Sequence, residues 1–127
     1  MSNELHEGEN IREYEVIWIK NGLLHREDGP AIEHSIGYSA WYLKGKKHRI
    51  DGPALIWING DKEWWVNDEL HREDGPAVEH SDGFTAWYLN DIQITEEKYN
   101  QWLTKKKLHD KLQSSLAASH TEKRGKI

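Results

Sequence analysis

The sequence predicts a mainly β protein: an elongated single-sheet antiparallel β-meander of tandem 23-residue hairpin repeats, with a C-terminal α-helix cap. Three observations carry this. The string HREDGPA at His25–Ala31 returns letter for letter at His71–Ala77, and His48–Ala54 reads HRIDGPA. Trp18, Trp41, Trp64 and Trp87 stand 23 residues apart without insertion, as do Asp28, Asp51 and Asp74; a fixed period of this length marks stacked copies of one supersecondary unit. Each unit carries an aromatic strand, AWYL at 40–43 and 86–89 or EWWV at 63–66. Turn signals recur about every 8–12 residues, which excludes helix from this stretch.

Residues 1–12 open with MSNELHEGEN, which is polar and acidic and has no apolar h-region. They are expected to form a flexible N-terminal segment, not a signal peptide. The repeat domain spans 13–94. Asn21-Gly22, Lys44-Gly45, Asn67-Asp68 and Asn90-Asp91 make the turns on one side, Ile36-Gly37, Asn59-Gly60 and Asp82-Gly83 those on the other. Such pairs suit the φ > 0 positions of tight hairpins. Alternation along the strands puts the four Trp of the 23-residue column on one face with Leu43, Val66 and Leu89, and Tyr42, Trp65 and Tyr88 on the other. The Trp column is the expected core.

Each DGP triplet reads as a stiff corner. Glycine supplies unusual backbone angles, proline fixes φ, and the aspartate accepts bonds within the corner. Arg26, Arg49 and Arg72, two residues upstream, suit an Arg–Asp ladder. His25–Leu43 and His71–Leu89 agree at 15 of 19 positions. The middle unit departs, with ALIWING where its neighbours have AIEHSIG and AVEHSDG.

The helical segment is 95–119. Thr95 is placed to cap it, Glu96 and Glu97 suit its positive end, and Ile94 and Tyr99 can form a hydrophobic staple. Helix is expected from Glu96 to about Leu116, with 120–127 a flexible tail. Tyr99, Trp102 and Leu103 share one face, expected to dock on the last β-unit. Leu108, Leu112 and Leu116 lie roughly opposite and form a candidate self-association surface.

Mean hydropathy is −0.91 and 31% of residues are charged, yet seven Trp and five Tyr are present; disordered chains lack such aromatic content. There is no cysteine, which removes disulfides, thiolate metal sites and a Cys nucleophile and suits a reducing, cytoplasmic setting. No apolar run approaches membrane-spanning length. Residues 1–94 carry 9 basic against 18 acidic side chains, a charge of −9, whereas 95–127 carry 8 against 4, a charge of +4. An acidic body of this kind repels nucleic acid, so no direct nucleic-acid binding is expected.

The stretch WYLKGKKHRIDGPALIWINGDKE (41–63) resembles a MORN unit in which the usual HGxG is replaced by HRxDGPA. From Trp18 to about Gln93 the chain resembles the MORN-variant repeat proteins of phages and bacteria. The resemblance implies one elongated, twisted antiparallel sheet and a binding or scaffolding role. Its phage-borne members suggest an inhibitor of a host or defence protein, acting in the host cytoplasm.

These features favour a non-catalytic protein–protein interaction module whose partner surface uses Tyr42, Trp57, Trp65 and Tyr88, since Trp and Tyr are preferred interface anchors. Two alternatives stand beside it. One is a nucleotide or small-ligand sponge in which Arg26, Arg49 and Arg72 clamp the ligand against aromatic columns. The other is an acidic decoy of a DNA-binding protein. A metal held by His25, His48 and His71 is disfavoured, because units ~10 Å apart cannot place three nitrogens ~2.1 Å from one ion. HRxD echoes a kinase catalytic loop, but no Gly-rich loop, lysine strand or DFG accompanies it. With no nucleophile motif or phosphate loop, neither catalytic residues nor a cofactor are expected.

Overall fold

The structure, a computed structural model, describes residues 5–125, with helix side chains described as far as residue 119. The order of elements is β1 (Gly8–Ile11), β2 (Glu15–Lys20), β3 (Leu23–Leu24), β4 (Ile32–His34), β5 (Ser39–Ala40), β6 (Tyr42–Leu43), β7 (Lys46–Lys47), β8 (Leu55–Ile56), β9 (Lys62–Glu63), β10 (Trp65–Val66), β11 (Glu69–Leu70), β12 (Val78–Glu79), β13 (Thr85–Leu89), β14 (Ile92–Ile94) and α1 (Glu96–Gly125). The chain divides into two compact units at the Ile94–Thr95 junction.

The protein is mainly β, as the turn spacing predicts. Nine strands pair antiparallel in the order β1-β2-β4-β5-β8-β9-β12-β13-β14, with β3 added on β2. The expected two strands per unit are corrected: β6–β7 and β10–β11 form their own two-stranded ladders beside the long sheet. The split falls at the tryptophan. The Trp41 N–H donates to the Ala54 carbonyl, while the Trp41 carbonyl accepts from the His48 N–H. Trp18 and Trp64 do the same with Ala31 and His25, and with Ala77 and His71. At Trp41 and Trp64 the chain therefore leaves the long sheet and turns back in a short hairpin, whereas at Trp18 the strand runs on and its hairpin with β3 stays in the sheet.

Turn chemistry follows the residues. Asn21, Lys44, Asn67 and Asn90 have φ of 51, 51, 49 and 50°, and Gly22, Gly45, Asp68 and Asp91 also have positive φ. Two consecutive positive-φ residues make the I′ turn that matches strand twist. On the other side only Gly37, Gly60 and Gly83 have positive φ. There the Gly37 N–H bonds the His34 carbonyl and the His34 N–H bonds the Tyr38 carbonyl, a three-residue loop with glycine at its left-handed position.

The conserved-spacing histidines join one hairpin to the next. The Nδ1 atoms of His25, His48 and His71 accept the N–H of Lys44, Asn67 and Asn90 at 2.9, 3.1 and 2.9 Å. Each hairpin thus leans on its predecessor through an imidazole nitrogen, a structural use of a residue type that otherwise invites a metal-site reading.

Three further expectations are corrected. The core is not the Trp column, whose indoles are all half-buried. Ala31, Ala40, Ala54 and Ala77 are fully buried, with Ile17, Ile19, Leu55 and Ala86 nearly so; the interior is filled by small and aliphatic side chains that the larger ones cover. Residues 1–12 are not all a loose segment, because Gly8–Ile11 pairs along β2 from Gly8↔Ile19 to Ile11↔Val16. The buried Asn10 amide fastens it, accepting from the His6 N–H and donating to the His6 and Gly8 carbonyls. The helix outlasts its predicted end and includes 120–125 of the expected tail; residues 126–127 lie outside the described residues. Its start follows the expected chemistry, the Lys98 N–H donating to Thr95 Oγ1 at 3.1 Å.

Candidate functional site

The two sheet faces use their aromatic residues differently. On one face the repeated corner holds an arginine between a ring and a glycine. The Arg26, Arg49 and Arg72 guanidinium carbons lie 4.4, 4.0 and 3.8 Å from the ring centroids of Trp18, Trp41 and Trp64. Their Nε atoms donate to Asp28, Asp51 and Asp74 at 3.0, 2.9 and 2.8 Å. Their Nη1 atoms donate to the Pro30, Pro53 and Pro76 carbonyls. A Cβ on Gly29, Gly52 or Gly75 would stand 2.6, 2.8 or 2.9 Å from the guanidinium carbon.

The corner glycine is therefore needed for space. None of the three has φ in the left-handed region, so the expectation of unusual backbone angles is corrected. The arginine charge is already engaged by an aspartate, a carbonyl and a π face. A groove floored by Trp41 and Leu43 runs between consecutive corners, and another is floored by Trp64 and Val66. Its arginines are committed to holding the repeat together, which weakens their candidacy as a nucleotide clamp.

The opposite face is built around a carboxylate. Cross-strand pairing lines up Ile17, Ile32, Ala40, Leu55, Glu63, Val78 and Ala86 in one row. Glu63 is the only charged member of this apolar row, and a charge in such a place needs partners. It has two: the Trp57 indole donates to Glu63 Oε2 at 2.7 Å and the Trp65 indole to Oε1 at 2.9 Å. The Tyr38 ring lies 5.1 Å from Trp57, tilted by 45°. The Lys47 ammonium sits 3.6 Å from the centroid of Trp65. Trp57 itself is 41% exposed.

Burial and nearby carboxylates act together on the tyrosines of this face. Burial first, then the charges of Tyr42, Glu63 and Glu15, hold the Tyr38 hydroxyl above its ordinary pKa of 10.0. Burial and Asp68 do the same for Tyr42.

Of the four residues predicted for a partner surface, Trp57 and Trp65 come together on one carboxylate. Tyr42 is half-buried, and Tyr88 bonds Gln93 at 3.4 Å instead. Glu63 and Tyr38 complete the group and were not anticipated. A signal for Glu63 was nevertheless present. At three equivalent positions the flanking units have His34 and His80, Ala40 and Ala86, Tyr42 and Tyr88, whereas the middle unit has Trp57, Glu63 and Trp65. Among the middle unit's departures, these three form one hydrogen-bonded group, two indoles on one carboxylate.

No protein-family model, curated protein or solved structure matches the chain.

In the helical unit Tyr99 is buried and Trp102 and Leu103 are half-buried, while Leu108, Leu112 and Leu116 are 57, 54 and 55% exposed. Among the described residues no cluster of three or more His, Cys, Asp or Glu could hold a metal ion, and no helix is long and apolar enough to cross a membrane.

Proposed function

We propose that the chain is a non-catalytic protein-interaction module and that its contact surface is the face bearing Tyr38, Tyr42, Trp57 and Trp65 around Glu63. The observation that carries this is the convergence of three of the middle unit's departures, Trp57, Glu63 and Trp65, on one carboxylate. A scaffold made by copying keeps its corners, hairpins and imidazole struts in every unit. Where one copy alone replaces a small buried alanine by a glutamate, and a histidine and a tyrosine by two tryptophans that satisfy it, the change serves something other than the scaffold. Rigid, half-exposed aromatics next to a fixed charge suit an interface anchor. The likeness of the repeat string to MORN-variant proteins of phages extends the proposal to an inhibitor of a host or defence protein in the host cytoplasm.

Affinity capture from lysate with wild-type chain, Trp57→Ala and Leu112→Gln in parallel tests the reading. A stoichiometric protein retained by wild type and Leu112→Gln and lost with Trp57→Ala is the expected result. Equal retention by Trp57→Ala, its sheet intact by circular dichroism, would contradict it.

A further inference from the structure

We infer that Trp57, backed by Glu63, is a recognition platform for an arginine or lysine side chain of a different protein. The inference rests on the contact surface proposed above and names the chemistry it takes. Three features of the face lead to it. First, the indole N–H of Trp57 is bonded to a carboxylate at 2.7 Å. An indole donating to an anion is polarised, its ring face becoming more negative and a better cation acceptor. Second, the sister ring shows the use. Trp65 donates to the same carboxylate, and the Lys47 ammonium rests 3.6 Å over it. The ring of Trp65 is thus occupied by a tethered cation, while Trp57 is bonded to the same carboxylate, flanked by Tyr38, and 41% exposed. Third, the charge is right: the sheet unit carries −9, and Glu15 and Glu63 act on the same patch.

Each Glu63 oxygen already accepts an indole N–H, so Glu63 acts on a visiting cation through the polarised ring and through its field. The platform therefore favours a guanidinium, which is planar, weakly hydrated and able to stack, over the more strongly hydrated ammonium.

The test is an NMR titration of the full chain, following the indole N–H cross-peaks of its seven tryptophans. The ligands are a triarginine peptide and its uncharged isostere, tricitrulline; the Trp57 peak is assigned from Trp57→Phe. The expected result is a saturable shift of the Trp57 peak with triarginine, absent with tricitrulline and weakened about two- to fivefold in Glu63→Gln, which keeps the side-chain shape. No shift, an equal shift with tricitrulline, or shifts spread evenly over all seven indoles would overturn the inference. Movement of the Trp57 peak with protein concentration alone would assign the cation to the Lys-rich helix of a second copy and overturn the foreign partner.

The captured protein separates this failure from that of the contact surface. If Trp57→Ala loses that protein but triarginine leaves Trp57 unmoved, the surface stands and the cation chemistry falls. If Trp57→Ala keeps the protein, the surface itself is wrong.

Discussion

Gly52 shows how a single missing atom supports a repeated contact. Its hydrogen faces the Arg49 guanidinium, where a Cβ would come to 2.8 Å. Gly52→Ala must therefore push the arginine off Trp41 or away from Asp51. The expected cost is about 1–2 kcal/mol, from overpacking and lost charge-assisted bonding, read from the urea midpoint at unchanged slope. A variant as stable as wild type would mean that the arginine sandwich contributes nothing.

Two aspartates contribute to the response to acid. The hydrogen bond from Arg49 holds Asp51 below its ordinary 3.8, and the backbone N–H of Ser81 does the same for Asp61. Groups with depressed folded pKa values stabilise the fold above the unfolded value and lose that contribution as pH falls through the folded one. Stability should thus begin to fall below about pH 4, and Asp61→Asn should flatten the lower part of the curve. The pairing of Arg49 with Asp51 was legible from their spacing. The reason for Gly52 was not, because it depends on Arg49 reaching back eight residues to Trp41, a distance only the folded strands close.

Turns were the most legible elements, since their chemistry is local. Lys44 is the exception in a column otherwise held by Asn21, Asn67 and Asn90, and it too has φ of 51°. Asparagine tolerates that conformation and lysine does so less readily. Lys44→Asn should raise stability by roughly 0.5 kcal/mol, seen as a higher melting temperature; a lower one would contradict the turn assignment. The division of the β6–β7 and β10–β11 hairpins from the long sheet was illegible, because it turns on which carbonyl meets the Trp41 and Trp64 peptides. Strand β1 was missed for a similar reason. GENI has no alternation of its own, and what orders it is pairing with β2 and the Asn10 amide.

At the scale of the molecule, composition misplaced the core. The indoles of the column remain half-buried, and alanines fill the interior. Leu108, Leu112 and Leu116 are each more than half exposed. Replacing all three with Gln should leave the sheet's unfolding within about 0.5 kcal/mol of wild type. If the stripe mediates self-association, light scattering at high concentration should show wild type larger than the variant; equal monomers would remove that role. The Trp57–Glu63–Trp65 group was half legible. The aromatic pair stood out by residue type, whereas Glu63 becomes meaningful only when the three units are compared position by position.

The most direct measurement is an oxidative footprint of the chain, free and bound to the captured protein. The account predicts protection of Trp57, Trp65 and Tyr38, with Trp18, Trp41 and Trp64 on the arginine face unchanged. Protection of the arginine face, with Trp57 as reactive as in the free chain, would contradict it.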